Sequence, residues 1–198
     1  MLVHALIPAS RANGPGLRAV VFFQGCSIGC PKCWNPSTHP FHGPEIKVDA
    51  VVEEVLRAGQ EHTLEGITFS GGEPMQQADS LLALMRSLRQ QAPALSFGMF
   101  SGYAEQELNK GQYWIWGDDS SEHHRIRLWQ EIRACLDFAI LGRFNQAQPS
   151  NTPLRTSRNQ VLRLFSDRYS PTDFSEQLTE VSILEGGRTE VTGFPIGW

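Results

Sequence analysis

Three of the chain's four cysteines fall within eight residues, at Cys26, Cys30 and Cys33. The spacing C-x3-C-x2-C is too tight for a disulfide framework, and it reads as a metal site in a reducing compartment. Thiolates are soft ligands that suit iron–sulfur clusters and zinc. A [4Fe–4S] cube is normally held by four thiolates, and this loop offers three, so one iron would be open to another ligand. Gly25 and Gly29 let the backbone wrap closely around an inorganic core. From the cysteines alone two alternatives stay open. Three thiolates with His39 or His42 would make a tetrahedral zinc site. Cys135 could also complete the cube, although it shares an apolar helical face with Leu128 and Ile132 and reads as a core thiol.

The chain around this loop alternates apolar runs with amphipathic stretches. Arg18 to Gln24 reads as a first strand, after the turn Asn13-Gly14-Pro15-Gly16. Asp49 to Ala58 reads as a helix capped by Asp49 and stopped by Gly59. Gly66 to Ser70 is a second strand. Leu81, Leu84, Met85 and Leu88 mark a helix that ends before Pro93. Leu95 to Phe100 is a third strand, followed by helices over Ala104 to Asn109 and Glu122 to Cys135. Leu136 to Leu141 is a fourth strand and Asn159 to Phe165 a fifth. Nearly continuous apolar strands separated by helices imply βαβ units and a parallel sheet. The expected fold is α/β, a partial, open (βα) barrel of about four to five parallel strands. It occupies residues 1–165, with the cysteine loop at 25–36. Residues 166–198 are expected to form a C-terminal extension packed on the same domain. There Leu178 to Leu184 and Thr189 to Gly193 flank Glu185-Gly186-Gly187-Arg188 as a hairpin. Residues 111–125 form a polar and aromatic insertion, in which His123 and His124 read as solvated. Trp114, Trp116 and Trp129 read as cover for the helical side of the core.

Composition narrows the function classes. Seventeen basic residues against twenty-one acidic ones give a net charge of −4, so the basic surplus of a phosphate-neutralising nucleic-acid binder is missing. No apolar run reaches membrane-spanning length. The start, MLVHALIPASRA, has no basic n-region, so no signal peptide is read and a cytoplasmic location is expected.

In parallel α/β folds ligands bind beyond the carboxyl ends of the strands. The segments at those ends are Gly25 to Asn35, Gly71-Gly72-Glu73-Pro74, Ser101-Gly102-Tyr103 and Gly142-Arg143-Phe144. Paired glycines let a ligand approach the backbone, and Glu73 adds a carboxylate for a cationic group. By itself Gly71 to Pro74 could equally be a plain strand-to-helix turn. Tyr103 could face a ligand or pack on the rim.

Taken together, Asn13 to Gly16, the cysteine loop, Phe69 to Pro74 and Ser101 to Tyr103 resemble the radical S-adenosylmethionine (SAM) superfamily. Within it, the chain resembles the activating proteins of anaerobic ribonucleoside-triphosphate reductase. Weaker echoes follow in Leu136-Asp137 and in Leu154 to Gln160. The resemblance implies that Cys26, Cys30 and Cys33 hold a [4Fe–4S] cluster whose fourth iron binds SAM. It implies reductive cleavage of SAM to methionine and a 5′-deoxyadenosyl radical, which takes a hydrogen atom from a glycine of a large partner enzyme. Gly71, Gly72, Glu73 and Ser101 would bind SAM, with Lys32 and Trp34 on its adenine side. An electron donor such as flavodoxin or ferredoxin is implied, with neither nucleic acid nor membrane as a partner. Two details differ from the family's pattern. Lys32 stands where many members carry an aromatic residue, and Ile140-Leu141-Gly142 replaces Val-Asp-Gly. The readings kept beside this one are a small radical SAM enzyme acting on a free metabolite, and a non-catalytic iron–sulfur or zinc module.

Overall fold

A computed structural model describes residues 1–176, 178–183 and 189–193. Its centre is a six-stranded sheet in the order β1-β2-β3-β4-β5-β6. The strands are β1 (Val3–Ser10), β2 (Arg18–Phe23), β3 (Gly66–Gly71), β4 (Ser96–Ser101), β5 (Phe138–Leu141) and β6 (Val161–Leu164). The four inner strands are parallel to one another, and both edges are antiparallel. Among the described residues the α-helices are α1 (Val48–Glu61), α2 (Ala78–Gln91), α3 (Glu105–Asn109) and α4 (Glu122–Cys135).

The inner strands are buried on both faces, as parallel strands are. Ala19, Val21, Phe23, Phe97, Met99, Ala139 and Leu141 face the main core with the apolar stripes of α1, α2 and α4. Phe138 and Ile140 alternate to the other face, where Leu154 and Phe174 cover them. Trp129 on α4 is buried in the main core, with its indole N–H donating to Asn109 Oδ1 at 2.8 Å.

Four differences from the sequence reading have physical causes. β1 carries Pro8 and gives no clean alternation; it is tolerated because it lies at the sheet edge, paired only with β2. The fifth strand of the expected parallel run, β6, is antiparallel to β5, so four strands are parallel. Helix α1 starts at Val48 with Lys47 as N-cap, which leaves Asp49 inside the first turn facing the positive end of the helix dipole. Gly59 does not stop that helix, since an interior glycine costs only about 1 kcal/mol and the turn continues to Glu61.

At the amino-terminal end of the parallel strands, Arg18 is wholly buried. Its guanidinium donates to Thr68 Oγ1 at 2.8 Å, Ser96 Oγ at 2.9 Å and Ile67 O at 2.9 Å, and to the Pro15 carbonyl at 3.0 Å. It also lies over the Phe138 ring, 5.1 Å from the centroid. Tyr169 completes this polar plug by donating to Glu65 Oε1 at 2.8 Å.

Towards the carboxyl end of the chain, β7 (Thr179–Ile183) pairs antiparallel with β8 (Thr189–Gly193) in a separate two-stranded sheet. The expected turn, Glu185 to Arg188, lies outside the described residues. Glu180 accepts from the Ser10 hydroxyl at 2.5 Å and from the Arg11 N–H at 2.9 Å, and Asn13 Nδ2 donates to Thr192 Oγ1 at 2.9 Å. These bonds set the strand pair beside the end of β1. Among the described residues no helix is long and apolar enough to cross a membrane.

Candidate metal centre

The carboxyl ends of β2 to β5 open on one cleft, which encloses about 270 Å³. Cys26, Cys30 and Cys33 line it, with Trp34, Gly71, Gly72, Glu73 and Ser101. Lys32 is not among the lining residues: it is exposed, in a left-handed turn with φ of 59°. The turn itself points Lys32 away and carries Trp34 to the rim, where its ring meets Phe144 edge-on at 6.1 Å.

All four cysteines are free thiols. Cys135 ends α4 and precedes β5, so it sits at the opposite end of that strand from the cleft. Burial pushes the Cys26 thiol up to about 11, and the nearby Glu73 charge pushes the same way. Burial also raises Cys30, against the Phe144 N–H and the Arg143 guanidinium, which pull it down. Thiols raised in this way favour their protonated forms, and a metal bound by them would displace those protons.

One zinc bound at about 2.3 Å would gather its thiolates within about 4 Å of one another. Among the described residues, the set of three ligand atoms within 4.8 Å of one another is Asp79, Asp118 and His124, at the rim of the insertion. Neither the three thiols nor any two of them with His39 or His42 form such a set. Cys26, Cys30 and Cys33 place three soft donors on one cleft, a donor type that suits iron–sulfur clusters and zinc.

The Gly71-Gly72-Glu73-Pro74 segment has a second task besides facing the cleft. Gly72 N–H donates to Phe23 O at 2.8 Å, and Glu73 N–H donates to Gly25 O at 2.9 Å. A side chain on Gly72 would collide with the Gly25 carbonyl, so the glycine is required by the neighbouring cysteine loop itself. Glu73 is fully buried, and its oxygens are in use. Oε1 accepts from Met75 N–H at 2.9 Å and Ser101 Oγ at 2.8 Å, and Oε2 accepts from Gly102 N–H at 2.7 Å. It thereby ties the end of β3 to the end of β4. Burial raises its pKa to about 7, with those three donors opposing the rise.

Several lining residues were not among the site candidates read from sequence. Thr156, Gln160, Val191 and Thr192 reach the cleft. Gln160 Oε1 accepts from the N–H groups of Thr156 at 2.9 Å and Ser157 at 3.1 Å, while Nε2 donates to Gly142 O at 3.2 Å. That bracket fastens the 154–160 segment across the end of β5. Its sequence signal was the Leu154 to Gln160 echo. The hairpin residues Val191 and Thr192 carried no signal. Tyr103 is buried and packs on Tyr113 at 5.9 Å, which puts it behind the cleft wall.

Comparison with known proteins gives the site a family. The signature described as 4Fe-4S single cluster domain matches residues 12–163. The chain is 30% identical over 116 residues to the anaerobic ribonucleoside-triphosphate reductase-activating protein of Escherichia coli (strain K12), covering 57% of this chain and 75% of that one. It is 26% identical over 171 residues to the protein of the same name from Vibrio cholerae, covering 84% of this chain and 99% of that one. The pyruvate formate-lyase-activating enzyme of Clostridium pasteurianum is 34% identical over 92 residues, 45% of this chain and 39% of that enzyme. The signature takes in β2 through most of β6, with every thiol of the cleft inside it, and the chain belongs to the 4Fe–4S single cluster domain family.

Proposed function

We propose that this chain is a radical SAM activase that installs a glycyl radical on a partner enzyme such as an anaerobic ribonucleoside-triphosphate reductase. The observation that carries the reading is the meeting of three free thiols and the Gly71 to Pro74 segment on a single cleft, in a chain similar to two kinds of activating protein. Cys26, Cys30 and Cys33 would hold the cluster, leaving one iron without a protein thiolate. The cluster, once reduced, supplies the electron that divides SAM into methionine and a 5′-deoxyadenosyl radical.

The chain's own residues bind, orient and exclude water. Gly71, Gly72 and Ser101 form the wall that takes the amino-acid end of SAM. Glu73 aligns that wall by holding Ser101 and Gly102, and its charge favours an ammonium group nearby. Trp34 covers the adenine side, with Lys32 outside it. Phe22, Ile28, Phe100, Ile140 and Phe144 give the cleft an apolar lining that keeps a reactive carbon radical from solvent. The four parallel strands are read as an open partial barrel, residues 1–165, extended by 166–198, and an open barrel mouth admits a peptide loop. The electron donor is a flavodoxin or ferredoxin, the setting is the reducing cytoplasm, and nucleic acid is not a partner.

The test is anaerobic reconstitution followed by addition of SAM, dithionite and an anaerobic ribonucleoside-triphosphate reductase. About four irons per chain, 5′-deoxyadenosine, and a glycyl-radical signal on the reductase are expected. A colourless protein holding one zinc overturns the cluster reading. SAM cleavage with no radical on the reductase overturns the activase reading and favours a metabolite as substrate.

A further inference from the structure

Gln76 follows the Gly71 to Pro74 segment and is wholly buried. A buried primary amide must find partners for both its ends. Here both ends serve the cysteine loop. Its Oε1 accepts from Ser27 N–H at 2.8 Å, and its Nε2 donates to Ser27 Oγ at 2.6 Å and to Tyr103 Oη at 2.8 Å. Ser27 is the residue after Cys26, so the amide grips the loop next to a thiol.

The same residue carries the 111–125 segment. Trp116 N–H donates to the Gln76 carbonyl at 2.8 Å, and Trp114 N–H donates to Tyr103 Oη at 3.2 Å. The segment is braced within itself, because Arg125 Nε donates to Gly111 O at 2.7 Å and Tyr113 Oη donates to Arg125 O at 2.6 Å. It also returns to the cysteine loop by a second route. Phe41 stacks on Trp116 at 5.7 Å and meets Trp114 edge-on at 5.2 Å. A side chain on Gly25 would collide with the Phe41 ring, so the loop's first glycine lies flat against this aromatic group. The segment therefore grips the cysteine loop at Gly25 through rings and at Ser27 through Gln76.

We infer that Gln76 is a positioning residue, and that through it the 111–125 segment acts as a strap that fixes the Cys26 end of the cluster loop before and after metal loading. This rests on the reading of Cys26, Cys30 and Cys33 as cluster ligands. Hydrogen bonds that hold a ligand loop in one place keep the cluster in one electronic environment.

The experiment uses the full chain with Gln76→Met, which keeps the volume and removes the three amide bonds. In the apo chain, the Ser27 amide should exchange with solvent about tenfold faster or more, while amides of β2 to β5 keep their parental rates. The emission of Trp114 and Trp116 should move to the red as the strap loosens. After reconstitution, the reduced cluster should give a mixture of electron paramagnetic resonance signals in place of the parent's single set. Gln76→Glu is the conservative partner, because the Ser27 and Tyr103 hydroxyls can turn to donate to its carboxylate. It should restore slow Ser27 exchange, and it keeps the test open if Gln76→Met does not fold. Parental Ser27 exchange and a parental spectrum in folded Gln76→Met overturn the inference, as does fast Ser27 exchange in folded Gln76→Glu. Failure of the parent to take up iron instead strikes the cluster reading, and leaves the apo exchange result to decide on the strap.

Discussion

The two ends of the parallel strands hold buried polar groups of opposite kinds. At the amino-terminal end, the Arg18 guanidinium is sealed among Thr68, Ser96, Ile67, Pro15 and the Phe138 ring, with the Tyr169–Glu65 pair beside it. Every strong donor there has a partner inside the protein, and nothing is left to offer a ligand. At the carboxyl-terminal end, three thiols line an accessible cleft without a disulfide, and burial holds Cys26 and Cys30 in their protonated forms. A buried group whose demands are met within the fold contributes to folding. A group that folding has made uncomfortable, and left reachable, is completed by something from outside.

Substitutions should separate the two ends. The largest effect is expected at the cleft: Cys26→Ala, Cys30→Ala or Cys33→Ala should each abolish cluster assembly, read as iron content after reconstitution, with little change in apo stability. Retention of four irons in any one of them breaks the contrast, because that thiol would then be dispensable. Next comes Arg18→Ala, which orphans several buried acceptors and should destabilise the apo chain by about 3–5 kcal/mol in denaturant melts. Any Arg18→Ala protein that folds should still bind iron.

Glu73 sharpens the comparison, since it is sealed like Arg18 but sits at the cleft. Its pKa is raised from 4.5 to about 7 chiefly by burial, so the folded state holds a proton that the unfolded state has released between those values. Stability therefore falls as pH rises from about 4.5 to about 7 and levels off above, by on the order of 3 kcal/mol. Denaturant melts of the apo chain against Glu73→Gln should show this slope as a difference between the two. A pH-independent difference would mean that the three donors balance burial and leave the carboxyl group at its ordinary pKa. The smallest effect belongs to Cys135→Ala, which should keep full iron and lose roughly 1 kcal/mol of packing. Iron loss there would move a ligand to the wrong end of the sheet.

The parallel strands were legible because their apolar runs are nearly continuous, and the positions of the loops followed from the strand ends. The direction of β6 was not legible, since the alternation along Val161 to Leu164 is the same for a parallel or an antiparallel neighbour. β1 was missed because Pro8 interrupts its pattern. Cys26, Cys30 and Cys33 announced themselves by spacing. Gln76 did not: two adjacent glutamines carry no sign of which one reaches Ser27 and which one, Gln77, bonds Leu2 and Gln24. The role of residues 111–125 was equally hidden, because a strap is defined by what it crosses and not by its own composition. Glu73 was found as a cleft residue, yet its bonds to Ser101 and Gly102 depend on a strand pairing that local pattern does not specify.

The glycine contact between the two loops also bears on inheritance and engineering. Gly72 and Gly25 come from segments far apart in sequence, yet a side chain on Gly72 would strike the Gly25 carbonyl, and one on Gly25 would strike the Phe41 ring. A change at Gly72 needs a retreat of the Gly25 backbone, and a change at Gly25 needs a retreat of the Phe41 ring. A cysteine loop transplanted into a foreign scaffold without its glycine-paired counterpart would bring the ligands and lose the seat that orients them. The transferable unit is the pair of loops.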